Sequence, residues 1–167
     1  PEPTASELIH SIVGQHHRAS SVDLTSAAVR VAGAAQSEKV RRIGRLLESI
    51  DATLRRHMER EEQELFPRIE QLESQEQRVR AGSISRALLV EFVEHDVVAE
   101  WLGKLWELAL QLNRDEDPDG ELFESLAALH RDLNRHMHAE NNVLIPIVVD
   151  REDRNKRLAS GRDEMRH

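Results

Sequence analysis

The chain has 167 residues, of which 39% are hydrophobic and 32% are charged. Its formal net charge is −8, and it has no stripe of basic residues, so nucleic acid is not expected as a partner. Its size fits one domain with a hydrophobic core, and its low content of glycine and proline favours helices. It contains no cysteine, which excludes thiolate metal sites and thiol catalysis, and no membrane-length apolar run or secretory signal is visible, so we expect a cytoplasmic protein without a membrane partner.

The first predicted helix runs from about Ser6 to Ala35. Thr4 and Glu7 have the spacing of a capping box at its start. His17 continues the apolar stripe of this helix, whereas His16 lies on a face with a poorer continuation. The stripe itself consists of Ile9, Val13, Leu24, Ala28 and Val31.

The second predicted helix runs from about Ser37 through at least Phe66. Its stripe alternates steps of three and four residues, which is the spacing of one helical face. Pro67 lacks an N–H group and is predicted to kink or end this helix. The stripe consists of Val40, Ile43, Leu47, Ile50, Leu54, His57, Glu61 and Leu65.

Two further helices are predicted after a polar connection from Ser74 to Ser83. The third, from about Ile84 to Asn113, has a stripe of Leu88, Phe92, His95, Ala99, Leu102, Trp106 and Ala109. A turn follows at Asp115–Gly120, where proline and glycine are present. The fourth helix, from about Glu121 to Val149, has Leu122, Leu126, Leu129, Leu133, His136, Glu140, Leu144 and Ile147 on one face.

Four amphipathic helices with mostly short connections predict an all-α fold, an antiparallel up-down-up-down four-helix bundle over residues 1–150. We expect a dinuclear metal site in its core, for the reasons given below. The charged segment 151–167 has no clear periodicity and is predicted to be a short surface helix or disordered. The sequence leaves the oligomeric state open, with a homodimer as one candidate.

One phrase occurs twice, at equivalent places in the second and fourth helices. His57-Met-Glu-Arg-Glu61 and His136-Met-His-Ala-Glu140 each continue through polar and apolar residues to a proline, Pro67 and Pro146. Residues four apart lie on one face of a helix. Each phrase therefore directs an imidazole and a carboxylate toward the same neighbours.

All four stripes contain a histidine near their middle, and burying such polar groups without partners costs several kcal/mol per charged group. A pair of metal ions satisfies them most simply, and each glutamate could bridge two ions through its two oxygens. Nitrogen and oxygen ligands without thiolate suit iron or manganese and tolerate zinc. The candidate ligands are His17, His57, Glu61, His95, His136 and Glu140.

Ordinary structural roles are the alternative for each of these residues. A lone histidine on an apolar face is more often a hydrogen-bonded core residue, and His/Glu pairs four apart are often exposed pairs. The coincidence on four helices favours the metal site. Structural roles are preferred for the histidines outside it, His10, His130, His138 and His167, for a solvated run of Glu59, Glu62, Glu64, Glu70 and Glu73, and for Phe92 and Trp106 as core residues.

The two repeated phrases resemble the paired signatures of hemerythrin-like (HHE cation-binding) domains, and the resemblance covers roughly residues 8–150. Gly82-Ser-Ile-Ser85 followed by Glu94-His95-Asp96 is similar, more narrowly, to the domain of RIC-type di-iron proteins, which are linked to repair of iron–sulfur clusters after nitric oxide or oxidative stress. Those proteins carry a cysteine-containing N-terminal domain, so repair activity is expected only if such a segment precedes Pro1.

The resemblance implies two non-haem iron ions as cofactor, with His17, His57, His95 and His136 as ligands and Glu61 and Glu140 as bridges. Oxygen-carrying hemerythrins have a second third-helix histidine at the position of Ala99, so the resemblance also implies an open coordination position here.

Three hypotheses for function follow from these patterns. The first is a di-iron redox or repair protein that reacts with O2, NO or peroxide. The second is a module that senses or stores O2, NO or iron without turnover. The third, a metal-free structural bundle, is disfavoured by the four histidines. The sequence does not decide between turnover and binding, and it lacks tyrosine, which excludes a tyrosyl radical.

Overall fold

The computed structural model describes residues 3–74 and 83–164, and within these residues the chain forms four long helices and no strand. The all-α prediction is therefore confirmed. The first helix comprises Ala5–Ser11, a π-helical turn at Ile12–His17, and Arg18–Gly33, and the second comprises Glu38–Arg60, a π turn at Glu61–Leu65, and Phe66–Ser74. The third helix is Ser83–Ala109. The fourth comprises Glu121–His138, a π turn at Ala139–Leu144, and Ile145–Glu164.

Side-chain caps define where the first two helices begin. The Thr4 hydroxyl accepts a hydrogen bond from the Glu7 N–H, and the Glu7 carboxylate accepts one from the Thr4 N–H at 2.8 Å, which completes the predicted capping box. Ser37 caps the second helix by accepting from the Val40 N–H at 3.1 Å. These local bonds satisfy backbone donors that would otherwise lack partners at a helix start.

The turn before the fourth helix also satisfies backbone donors. Asp117 accepts from the N–H groups of Leu122 and Phe123, at 3.1 and 2.9 Å. Gly120 adopts φ +77°, a left-handed conformation that glycine tolerates best. The predicted turn at Asp115–Gly120 therefore directs the chain into the fourth helix.

Two hydrophobic clusters fill the bundle, and the predicted site residues lie between them in every helix. The first cluster includes Leu24, Ile50, Leu102 and Leu129, and the second includes Ile12, Ile69, Leu88 and Leu144. Along each helix the members of one cluster precede the predicted histidine and the members of the other follow it, except that Met58 and Met137, directly after His57 and His136, belong to the cluster that precedes these histidines. The bundle therefore has a polar level between two apolar layers.

The third helix has a different buried face from the predicted one. Phe92 is 39% exposed, Ala99 is exposed and Trp106 is half-buried, while the buried positions include Glu91, Val98 and Leu105. After Leu88 and after Leu102, hydrophobic size favoured Phe92 and Trp106, four residues further on, over the buried residues three further on. After His95 the buried residue is Val98, which is larger than the predicted Ala99, so size does not explain that step. A charged residue is not expected to be buried, so the sequence did not predict burial of Glu91. Its partners, His57 and Arg60, lie on the second helix.

Glu73 was predicted to be part of a solvated run, and this is wrong. Its carboxylate accepts hydrogen bonds from the N–H groups of Ala5 and Ser6, both at 3.0 Å, and from the Ser6 hydroxyl at 2.8 Å. Anions are stabilised at helix N-termini, where several N–H groups lack partners. Glu73 therefore joins the end of the second helix to the start of the first.

The helix boundaries differ from the predicted ones at the ends. The third helix ends at Ala109 rather than near Asn113. The fourth helix continues past Val149, and the charged segment after residue 150 is helical to Glu164. Most of the predicted polar connection, residues 75–82, lies outside the described residues. In the described part of the chain no helix has the length and hydropathy of a membrane span.

Candidate metal centre

Three π turns lie at the polar level of the bundle. The first ends at His17, the second begins at Glu61, and the third contains Glu140. A π turn holds one residue more than an α turn and often occurs at functional sites. The three turns therefore place widened backbone where predicted ligands project into the core.

The two prolines of the repeated phrase are each the second residue after a π turn. The N–H groups of Phe66 and Ile145 bond to the carbonyl groups of Glu61 and Glu140, five residues earlier. A proline ring clashes with the carbonyl four residues before it in a regular α-helix, and the wider turn relieves this clash. The second helix consequently continues through Pro67 to Ser74, so a helix end at Pro67 is wrong.

All six predicted ligands are buried, and the structure brings them to one place. Their ligand atoms form two groups, each with all members within 4.8 Å of one another. One group is His17, Glu61, His136 and Glu140, and the other is His57, Glu61, His95 and Glu140. Both carboxylates thus belong to both groups, and the four histidines divide into two pairs.

The inward-facing atoms of the site are the Nε2 atoms of the histidines and the carboxylate oxygens. Glu140 lies 2.9 Å from His136 Nε2 and 3.0 Å from His95 Nε2. Glu61 lies 3.3 Å from His17 Nε2 and 3.5 Å from His57 Nε2. Each carboxylate therefore contacts one histidine of each pair.

The inward atoms fit metal ions better than they fit one another. Nε2 of His17 and an oxygen each of Glu61 and Glu140 are buried and make no hydrogen bond among the described residues. Nε2 of His57 lies 2.9 Å from Nε2 of His95. Two nitrogens that bind one ion at about 2.1 Å and at a right angle would be about 3 Å apart. His57 and His95 thus have the separation that a shared metal ion requires.

Outward-facing Nδ1 atoms of three of these histidines contact polar side chains of neighbouring helices. Nδ1 of His17 lies 2.6 Å from Glu62, and Nδ1 of His95 lies 2.8 Å from the amide oxygen of Asn141. Such contacts fix the ring orientation and the tautomer of a metal-binding histidine. Glu62 is exposed, as predicted for a solvated face, and its carboxylate also orients His17.

His57 has the most extensive outer contacts, and the sequence did not reveal them. Its Nδ1 lies 2.9 Å from Glu91 and 3.0 Å from Glu94. Arg60 contacts both carboxylates, at 2.9 Å to Glu91 and 2.6 Å to Glu94. Arg60 lies three residues after His57, and Glu91 lies four residues before His95, so each shares a helix face with a predicted ligand. The sequence contains no other indication of these contacts.

Nearby carboxylates hold protons on His17 and His57 when no metal is bound. Burial alone would lower the pKa of His17, but Glu140, Glu61 and Glu62 raise it to about 10. Burial acts in the same way on His57, and Glu140 and Glu91 raise its pKa to about 11. Burial also raises the pKa of Glu61, whereas the charge of His136 holds that of Glu140 well below its usual range despite burial. A metal ion would replace these protons as the positive charge.

A pocket of about 300 Å³ adjoins the site between the third and fourth helices. It is lined by His95 and Ala99 from the third helix and by Met137, His138 and Asn141 from the fourth, among others. His95 belongs to the site itself, whereas Ala99 is exposed. The pocket therefore connects solvent with the face of the site that carries His95.

The remaining histidines lie outside the cluster of donor atoms. His16 is half-buried and stacks against His136, with ring centroids 6.3 Å apart, but it belongs to neither group of ligand atoms. His130 stacks on Trp106 at 4.7 Å, and His10 and His138 are exposed. The remaining one, His167, lies outside the described residues.

Comparison with known proteins shows a family match and a curated relative. The family model described as "Hemerythrin HHE cation binding domain" matches residues 8–148. The iron–sulfur cluster repair protein YtfE of Yersinia pseudotuberculosis serotype IB (strain PB1/+) is 34% identical over 107 residues, which is 60% of this chain and 43% of that protein. The match thus spans less than half the length of the relative. No solved structure matches the chain.

Proposed function

Because the chain belongs to the hemerythrin HHE cation-binding family, we propose that it is a non-haem di-iron protein that binds or reacts with O2, NO or peroxide. One observation carries this proposal. Two groups of buried ligand atoms share the carboxylates of Glu61 and Glu140 while each has its own pair of histidines. Two ions held side by side and bridged by carboxylates require this division of ligands.

In this proposal His17 and His136 hold one ion, and His57 and His95 hold the other. Glu61 and Glu140 contribute to both ions and neutralise part of their charge. Iron is preferred because nitrogen and oxygen donors without thiolate suit it, and manganese or zinc would also be accepted by such a site. The antiparallel up-down-up-down order of the helices is part of the proposal, and it is supported by the alternating order in which the two hydrophobic clusters occur along the four helices.

The residues around the site have distinct tasks in this proposal. Glu62, Glu91, Glu94 and Asn141 orient three of the histidine rings. Non-haem iron supplies a redox-active centre that can bind small molecules when a coordination position is open. Ala99 provides no donor atom beside His95, and the pocket next to it offers a diatomic molecule or peroxide a route to that side of the site.

We further propose a role in the cytoplasmic response to oxidative or nitrosative stress, including repair of iron–sulfur clusters. The support is the relative, which is named as an iron–sulfur cluster repair protein. Its match covers 43% of that protein. The test of this role is whether the iron-loaded chain restores the activity of an iron–sulfur enzyme damaged by NO, and no recovery would overturn it.

A second candidate function is a module that senses or stores O2, NO or iron without turnover. The observation that favours it is the absence of both tyrosine and cysteine from the 167 residues, since these side chains commonly relay electrons or form covalent intermediates. In that case the same pocket admits a ligand, but no product leaves.

The test begins with protein reconstituted anaerobically with ferrous iron, its metal content measured by elemental analysis and its visible absorption recorded. About two irons per chain support the dinuclear site, and one or none would overturn it. Catalysed loss of peroxide or NO supports the first function. A stoichiometric, reversible spectral change without turnover supports the second. The double variant Glu61→Gln/Glu140→Gln is the matched control, because it retains the shape of the site without its shared anions.

A further inference from the structure

The solvent-facing side of the third helix carries an apolar patch that the metal centre does not use. We define the third-helix patch as Leu89, Val90, Val93 and Val97. Leu89 and Val93 are 65% and 64% exposed. The opposite face of the same helix is buried and includes Glu91, His95, Val98 and Leu102. Contiguous exposed apolar side chains commonly mark an interaction surface.

The charges at the two ends of this patch are opposite in sign and equally distant from its centre. Arg86 lies seven residues before Val93, and Glu100 lies seven residues after it. Residues seven apart lie on nearly the same face of a helix. Arg86 and Glu100 are both exposed, and no described residue forms an ion pair with Arg86. A basic and an acidic side chain therefore bracket the apolar residues.

We propose that the third-helix patch is a self-association surface that pairs two copies of this chain through antiparallel third helices centred on Val93. A two-fold axis at Val93 places Arg86 of each copy opposite Glu100 of the other and Leu89 opposite Val97. Such an interface is isologous, so one patch complements itself. Glu100 already contacts Lys104 of its own helix at 2.5 Å, and its second oxygen remains for Arg86 of the second copy.

The balance of charge favours a second copy over a different partner. A surface that recognises an acidic or a basic partner usually carries one sign of charge, whereas the third-helix patch is flanked by exposed basic Arg86 at one end and by exposed acidic Asp96 and Glu100 at the other. The pocket beside Ala99 lies between the third and fourth helices and is also lined by Asp96, which adjoins Val97 of the patch.

The size of the patch sets the expected strength. Stable interfaces bury about 800 Å² per partner, and four side chains of one helix supply less than that. We expect a reversible dimer with a dissociation constant of about 10–100 μM. Sedimentation equilibrium of the iron-loaded chain over that range of concentration measures it directly.

Substitutions distinguish this surface from others. Val93→Glu should raise the dissociation constant by at least about tenfold, because it places two like charges at the centre of the interface. Val22→Glu is the matched control, since Val22 is a valine of the first helix with 66% exposure, and it should leave association unchanged. Circular dichroism and iron content check that both variants fold, which is expected for exposed positions.

The antiparallel register has its own test. Arg86→Glu and Glu100→Arg should each weaken association, and the double variant should restore it, because the exchanged charges again face each other. Since the chain has no cysteine, Val93→Cys places one thiol per copy at the two-fold axis, and a short bismaleimide should cross-link it while leaving Val22→Cys monomeric. A chain that stays monomeric, a dimer that tolerates Val93→Glu, or a charge exchange without rescue would overturn the proposal.

Discussion

Glu91 of the third helix is 1% exposed, and its carboxylate lies 2.9 Å from Nδ1 of His57 on the second helix. The other oxygen of Glu91 accepts from Arg60, which in turn lies three residues after His57. The buried carboxylate of Glu91 therefore lies between the guanidinium group of Arg60 and the outward-facing Nδ1 of His57, a candidate metal ligand. Its position explains why a charged residue occupies the core-facing side of the third helix.

Replacing Glu91 with glutamine should weaken metal binding without removing a ligand. The amide lacks the negative charge that increases the donor strength of His57, and changes of this kind typically cost about 10–100-fold in metal affinity. Competition with a chelator measures the affinity. Glu107→Gln, at an exposed position of the same helix, should have no effect, and equal affinities for the two variants would contradict the orienting role.

Glu61 and Glu140 are predicted to be shared anionic ligands. Glutamine at either position removes a negative charge that both ions need, so the iron content should fall and the absorption of the remaining iron should change. The expected loss in affinity is at least about tenfold for each variant. Full iron loading with an unchanged spectrum in both single variants would show that neither carboxylate bridges.

His17, rather than His16, is predicted to bind metal through the first helix. Nε2 of His17 lies 3.3 Å from Glu61, whereas His16 is half-buried beside the site. His17→Ala should therefore lower the iron content, and His16→Ala should leave it nearly unchanged. The reverse outcome, measured by elemental analysis after identical reconstitution, would mean that the first π turn presents the other histidine.

Ala99→His is expected to fill an open coordination position one turn after His95. Ala99 is exposed and lines the pocket, so the larger side chain displaces no core residue. Azide, NO and peroxide should each bind more weakly or react more slowly in the variant, with a shift of its visible spectrum. Ala99→Ser, which leaves the pocket open, should titrate like the original chain. If the original chain binds none of these ligands, a storage or structural centre is favoured instead.

Metal uptake is expected to release protons. The pKa values of His17 and His57 in the metal-free chain are raised to about 10 and about 11, so both rings are protonated at neutral pH. A ring binds metal only through an unprotonated nitrogen, and the apparent metal affinity should therefore increase between about pH 6 and pH 9. Calorimetry in two buffers with different ionisation enthalpies measures the protons released, and identical heats would contradict the prediction.

The sequence predicted the second and fourth helices well because their stripes are long and nearly uninterrupted. Leu54, His57, Glu61 and Leu65 are all buried, and Leu133, His136, Glu140 and Leu144 repeat this pattern. The third helix was harder, since Phe92 and Trp106 outweighed Glu91 in any assessment based on hydrophobicity. Burial of Glu91 depends on Arg60 and His57, which are distant in sequence, and such pairing cannot be read from one helix alone.

The candidate ligands of the site could be predicted from the sequence, whereas the residues that contact them from outside could not. The six candidate ligands could be identified because the repeated phrase fixes two pairs, and the stripes add His17 and His95. The contacts that Glu62, Glu94 and Asn141 make with the histidines could not be predicted. A polar side chain that orients a ligand has the same helical spacing as one that only faces solvent. The π turns were also missed, although the prolines of both phrases indicated that regular α-helix would be disturbed there.

The polar level between the two apolar layers has a mechanical consequence. Each of the four helices contributes at least one candidate ligand to this level, so bound ions would tie all four together at mid-height. A chain without cysteine has no disulfide to do so, and coordination bonds would then be its cross-links. The stability of the bundle against unfolding would accordingly depend on the ions at its centre, and removal of iron would destabilise both apolar layers together.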